Sequence, residues 1–375
     1  MKKNLLYYAV YLLAISITFY AAKITPFSPI YILDLMAFSV IVIVLAYKTN
    51  VYFDFDILAA IILLIYIILT QYSYIQYGEF INIFIGLLAY IFFRMLKNRL
   101  SFEDLINIFT YMLIISIIVL TLDSIYRLTH PGAASHEALM VMSSNENLVM
   151  YLYKFNSLLF ADSNTTALVS LILYFSVITL ERKKVQLKYS KFMKIALSLL
   201  IVFSLSRAAI IAWIIGIIYV KVQSQKILYK MILFTPILLL SLFIPYYLDT
   251  LFSNDISFNS KFMILDLVYN KLSNSSLNTL FFGVGFGQAI SSLGIYTHLL
   301  LVTITFEMGF IGLFIYILFI TIYILKFGVT IWLPVLITSL SFFTYVGAPF
   351  LFIPLALTAN INEKIIRKNK MKVSQ

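Results

Sequence analysis

Hydrophobic runs long enough to cross a bilayer recur along almost the whole chain. A span needs roughly 20 mostly apolar residues and must satisfy its own backbone hydrogen bonds, so helix is the element such runs can form outside a closed barrel. We read the runs as approximately 5–22, 29–47, 57–75, 80–96, 105–125, 158–180, 193–205, 208–222, 231–247, 299–325, 329–346 and 350–360. Hydrophobic residues make up 62% of the chain and charged residues 11%, with a mean hydropathy of +0.99. Surface that apolar requires lipid as its solvent. The expectation is an all-α polytopic membrane protein of about twelve spans, residues 1–375 forming a single transmembrane domain.

Charge placement orients the spans. With Met1 in the cytoplasm and sides alternating, 21 of the 27 Lys and Arg residues fall in inner segments and 6 in outer ones. Cytoplasmic loops carry such an excess, so both termini are expected inside. The formal charge of +11 is then topological, and a nucleic-acid partner is not expected. The chain has no cysteine, which excludes disulfides and thiolate metal sites. MKKNLLYYAVYLLAISITFYAA at the N-terminus imitates a signal peptide, but another span follows almost at once, so it reads as a retained helix.

Two outer segments are long, about 126–157 and 248–298, and long loops in compact folds are usually functional. The first holds Arg127, His130, Pro131, His136, Glu137, Glu146 and Lys154; the second holds Asp249, Asp255, Lys261, Asp266, Lys271 and His298. Asp34, Asp123, Asp162, Arg207 and Glu307 lie at or near the outward ends of spans. Charge in lipid is costly there, so these side chains should face protein or water. Asp54-Phe55-Asp56 imitates the DxD of metal-dependent sugar transferases, but it falls on the inner side, where acids complement a helix N-terminus. Ser101-Phe102-Glu103-Asp104 reads as a capping sequence. No dense His/Asp/Glu cluster marks the outer segments, so neither a metal site nor a cofactor is expected.

The densest chemistry lies between Phe281 and Gly312. Gly283, Gly285 and Gly287 form GVGFG, which lacks the GxGxxG spacing of a nucleotide loop and reads as a tight turn that a polar headgroup could approach. His298 has the unperturbed pKa of about 6.5 that suits proton transfer. Glu307 follows nine residues later, on the opposite face if both residues are helical; the two can touch only if His298 belongs to the loop, so Glu307 is expected to pair with another helix or support a cavity wall. Ser204, Ser206 and Arg207 form a tight turn between two short spans. A guanidinium at the start of the next helix can grip a phosphate there.

At these residues the sequence resembles the bacterial O-antigen polymerase and O-antigen ligase family (Wzy/WaaL-like). Ser206-Arg207-Ala208 resembles the family's SRG or SRT turn, and Phe282-Gly283-Val284-Gly285-Phe286-Gly287 is similar to its fGvGfG turn. Tyr296-Thr297-His298, followed by Glu307 to Gly312, is similar to its histidine-to-ElGliG segment with the same spacing. Phe160-Ala161-Asp162-Ser163-Asn164 resembles its Asn-containing entry to a span. The resemblance covers roughly 160–312. The chain departs from the pattern at Leu299, where asparagine usually follows the histidine, and at Ala208, where glycine or threonine is usual.

The resemblance implies a fold related to the lipid-dependent multi-span (GT-C-like) glycosyltransferases and sugar transfer at the outer face of the bacterial cell membrane. The donor would be an oligosaccharide on undecaprenyl diphosphate and the acceptor another lipid-linked repeat unit, building O-antigen, capsule or exopolysaccharide. Membrane lipids, a chain-length regulator and a flippase are the implied partners. His298 and Arg207 are the expected catalytic residues. Ser206, Gly283, Gly285, Gly287, Lys261, Lys271, Asp162, Asn164 and Glu307 are the expected substrate-binding residues. The nearer alternative is a ligase that passes the glycan to a lipid A core. The alternative from another class is a lipid-linked-glycan flippase or transporter, which predicts internal repeats, broken mid-membrane helices and charges along a path through the bilayer.

Overall fold

A computed structural model of the chain describes residues 2–20, 28–46, 53–71, 77–132, 149–160, 162–223, 256–342 and 348–373. The described residues form helices and connecting turns, with no strand among them. In chain order the helices are α1 Lys2–Ser16, α2 Pro29–Ala46, α3 Phe55–Gln71, α4 Tyr77–Met95, α5 Phe102–Thr129, α6 Val149–Leu152, α7 Ser163–Arg182 and α8 Ser190–Phe203. They continue with α9 Arg207–Gln223, α10 Ile256–Ser273, α11 Leu277–Phe282, α12 Ala289–Leu293, α13 Leu300–Phe327, α14 Trp332–Ser339 and α15 Ala348–Val373. Four of them, α2, α5, α7 and α13, are long and apolar enough to cross a membrane. This is a helical membrane protein by the length and composition of its elements.

Helices α7 and α15 run through the middle of the bundle. The most apolar stretch of α7 is 89% buried although it carries serine and threonine. Those hydroxyls bond within their own helix: Ser170 to the Thr166 carbonyl, Ser176 to Ile172 and Thr179 to Phe175, each four residues back. That pattern lets a polar side chain sit in an apolar core. Helix α15 packs on α4, α5 and α7, while α3 lies against α13 and α4. Close approach needs small residues. A Cβ at Gly216 of α9 would fall 2.3 Å from the Phe175 ring, and one at Gly86 of α4 would fall 2.9 Å from Phe352.

Most expected spans coincide with a helix, with instructive differences. The run at 158–180 becomes helical only at Ser163, where Asp162 caps α7 by accepting from the Asn164 and Thr165 backbone N–H groups at 3.1 and 3.2 Å. Helix α15 continues through Lys364, Arg367 and Lys368 instead of ending near 360. Ser101 and Asp104 form the anticipated reciprocal cap of α5. The second long segment is not an open loop where it is described, since α10, α11 and α12 occupy most of 256–293. The expected ninth span at 231–247 lies outside the described residues, as do Lys23, His136, Glu137, Glu146, Ala161, Asp249 and Asp255.

At the end of the bundle formed by the start of α3 and the ends of α4 and α13, six charges converge. Arg94, fully buried, bonds Asp56 at 2.7 Å and Glu363 at 2.6 Å. Lys326 reaches Asp54 at 2.7 Å, Asp56 at 2.8 Å and Glu363 at 2.9 Å. Lys97 pairs with Asp54 and, at 3.3 Å, with Glu363. Tyr90 donates to Asp56 and Asn360 accepts from Arg94. Asp54 and Asp56 therefore do more than complement the start of α3: they join α3, α4, α13 and α15. Burial pushes the Asp54 carboxyl up, but Lys326 and Lys97 override it and hold it below the usual carboxylate range.

Candidate functional site

The opposite end of the bundle gathers the segments singled out in the sequence. Helices α8 and α9 meet at the turn Ser204-Leu205-Ser206, and Arg207 opens α9 with an exposed side chain. Leu205 holds a left-handed φ of 57°, which an L-residue with a bulky side chain adopts only under constraint. The Ser204 hydroxyl accepts from the Ser206 N–H at 3.2 Å. Ser206 itself is buried, and its carbonyl accepts from Ile210 at 3.0 Å. The start of α7 is tied to this turn by the Ser163 hydroxyl, which donates to the Ser204 carbonyl at 2.6 Å. Asp162 and Asn164 thus stand beside the turn, with Asn164 Nδ2 donating to the Asp162 carboxylate at 2.9 Å.

His298 lies in the irregular turn just before α13, with φ 52°, again left-handed. Its ring stacks at 6.1 Å on Phe342 and stands 5.7 Å from the Tyr296 ring. Burial lowers its pKa, the positive charge of Lys261 lowers it further, and Asp162 acts in the other direction. Lys261, on α10, has its own pKa lowered by burial, with Asp162 opposing. His298, Lys261 and Asp162 therefore share one electrostatic neighbourhood. The histidine's shift favours its neutral ring, and a neutral imidazole is the form that accepts a proton.

The glycine turn packs against α13. Helix α13 is broken at Gly309, whose φ of 70° and ψ of −178° are not helical. The break leaves carbonyls without their intrahelical donors, and other elements supply them. Val284 N–H donates to the Phe306 carbonyl and Gly285 N–H to the Glu307 carbonyl, both at 3.0 Å. Tyr66 of α3 donates to the Met308 carbonyl at 2.5 Å, and on the other side of the contact Gln71 of α3 donates to the Phe282 carbonyl at the end of α11, at 3.0 Å. The approach is backbone on backbone. A Cβ on Gly283 would fall 2.2 Å from the Glu307 carbonyl oxygen, and one on Gly309 would fall 2.2 Å from that of Phe281. The space at Gly283 anticipated for a polar headgroup is filled by α13, and Gly285 and Gly287 are buried.

Glu307 is buried and accepts from the Ala289 N–H at 3.2 Å, which fixes the start of α12. The helical-angle comparison with His298 does not apply, because His298 precedes the helix. Lys271 is exposed at the far end of α10. Ten helical residues put it roughly 15 Å along the axis from Lys261, so the two are not brought together. Among the described residues no three His, Asp or Glu side chains gather as a metal-holding group.

Three residues outside the motifs border the site: Tyr66 and Gln71 hold the two sides of the glycine interlock, and Arg127 of α5 donates to the Phe203 carbonyl at 2.5 Å, just before the Ser204–Arg207 turn. The signal for Tyr66 and Gln71 was weak: two polar groups near the end of an apolar run. No protein-family model, no curated protein and no solved structure matches this chain.

Proposed function

We propose that the chain is a multi-pass bacterial cell-membrane glycosyltransferase that polymerises lipid-linked repeat units. It transfers an undecaprenyl-diphosphate-linked glycan onto another lipid-linked repeat at the outer face. In this reading the chain has about twelve spans, with both termini cytoplasmic and the His298 end outward. One observation carries it: the three segments that resemble the O-antigen polymerase and ligase family, around Asp162, Arg207 and His298, come together at one end of the bundle. Ser163 bonds the Ser204 carbonyl, and Asp162 lies within electrostatic reach of His298.

The chemistry follows from those residues. An acceptor hydroxyl oxygen attacks the anomeric carbon of the donor, the bond from that carbon to the diphosphate oxygen breaks, and the diphosphate leaves with the bonding pair. Neutral His298 takes the hydroxyl proton. Arg207, exposed at the start of α9, and Lys261 offset the charge that develops on the diphosphate. The six-charge cluster at the other end supports a site that opens on one side. A transporter whose moving halves divided α3, α4, α13 and α15 would have to part those buried pairs on every cycle, at a cost of several kcal/mol.

In a strain lacking the gene, wild-type protein restores polymer, whereas Arg207→Ala and His298→Ala each reduce yield at least about tenfold. Normal polymer length and yield from both variants overturns the assignment. Loss of the gene leaving single capped repeats marks a polymerase, whereas free full-length polymer marks the ligase.

A further inference from the structure

The end of the bundle that carries the motif turns also holds a cation outside them. Arg127, near the end of α5, is 0% exposed. Its two terminal nitrogens donate to backbone carbonyls: Nη1 to Tyr153, and Nη2 to Phe203 at 2.5 Å. No carboxylate among the described residues lies within 4.0 Å of it as an ion-pair partner. Burying a guanidinium is costly even with Asp123 and Asp162 near enough to favour its charge, so what it holds directly is informative.

Phe203 is the last residue of α8, and its carbonyl is one of those a helix end leaves without a partner. The next four residues are Ser204 to Arg207. Tyr153 belongs to the segment that leads into Asp162, and the adjacent Lys154 carbonyl accepts from Ser163 N–H at 2.9 Å. Asp123, one turn earlier on α5, holds the same segment further along, accepting from Leu158 N–H at 2.7 Å and from Ser157 Oγ at 3.0 Å. One face of α5 thus fixes both strands of chain that form the site wall, and Ser163 Oγ joins them to each other.

We propose that Arg127 is a positioning residue: its planar fork holds the Phe203 and Tyr153 carbonyls and so sets where Arg207 and Asp162 point. What the turn binds rests on the diphosphate reading above; the brace itself does not. Lysine cannot replace it, because an ammonium is a point donor without the fork.

The test uses the full chain in nanodiscs, with Arg127→Lys and Arg127→Met. Amide hydrogen exchange should rise in 153–165 and 199–210 and stay unchanged around Asp56, Arg94 and Glu363. In the same samples the KM for an undecaprenyl-diphosphate-linked donor should rise at least about tenfold in Arg127→Lys. Unchanged exchange in the two segments overturns the brace whatever the kinetics. Raised exchange with a wild-type KM, or a loss confined to apparent kcat, overturns the positioning role, since that is the mark of a smaller folded fraction. If Arg127→Met fails to fold, Arg127→Lys decides. Should Arg207→Ala and His298→Ala prove fully active, the transferase reading falls, and the exchange data judge Arg127 separately.

Discussion

His298 and Leu205 are both L-residues held at left-handed φ, and both sit in turns that carry the candidate chemistry. Such conformations cost about 1–3 kcal/mol and persist where surrounding contacts impose them. For His298 the consequence is chemical as well. Burial and Lys261 favour its neutral ring, so its folded pKa lies below the ordinary value of about 6.5. A base in that state stays competent as pH falls through 6.5 and is lost only below it. The acid limb of a pH–rate profile should therefore lie under 6.5, and Lys261→Met, which removes one lowering influence, should move it to higher pH. A limb that stays in place or moves lower would separate Lys261 from the histidine. His298 and Arg207 could be picked out from the sequence because each sits in a local motif. Arg127 could not, because its partners are backbone carbonyls 26 and 76 residues away, and no spacing rule marks an acceptor that every residue possesses.

Among the elements, the break in α13 and the glycine turn form one device. The turn supplies two N–H groups and α3 one hydroxyl to the carbonyls freed at Gly309, while the Gln71 amide of α3 holds the Phe282 carbonyl on the turn's side. The motif glycines suggested a tight turn, which is present; their partner was hidden, because it is the backbone of α13 some 24 residues further along the chain. Substitution separates the two roles of glycine. Gly283→Ala and Gly309→Ala place a methyl 2.2 Å from a carbonyl oxygen, which should cost about 1–3 kcal/mol for overpacking in addition to backbone strain. Gly294→Ala, also at positive φ but with nothing within 4 Å, should cost only the strain of about 1–2 kcal/mol. Thermal unfolding in detergent ranks the three, and equal losses would show that backbone conformation alone is responsible.

Across the whole molecule the two ends differ in kind. One end balances three acids against three bases, with Arg94 and Asp56 fully buried. The other places cations near helix starts and turns, with a carboxylate acting as a cap. Arg94→Ala should destabilise the protein by about 2–4 kcal/mol, because it removes the buried partner of Asp56 Oδ2 and leaves that carboxylate to Lys326 and Tyr90 alone. Charge reversal of both partners, Arg94→Asp with Asp56→Arg, should recover part of that loss in the same unfolding assay. No recovery would mean that Asn360, Glu363 and Lys326 hold the pair in one orientation only. The cluster was half visible in advance. Asp56 does stand in the first turn of α3, where an acid suits the helix, but its partners come from residues 38 and 270 positions away.

The sequence by itself determined the solvent, the helical class, most helix positions and the turns with unusual chemistry. Each of these is a property of one segment: a transfer free energy, a cap, a glycine. The tertiary structure decided which charges meet, that Gly283 faces a helix backbone, and that Arg127 reaches the Phe203 carbonyl just before the turn carrying Arg207. In lipid the helices gain nothing from hiding apolar faces from water. Their pairing rests on close packing and on a few polar bonds between distant residues, and those form only once the bundle is assembled.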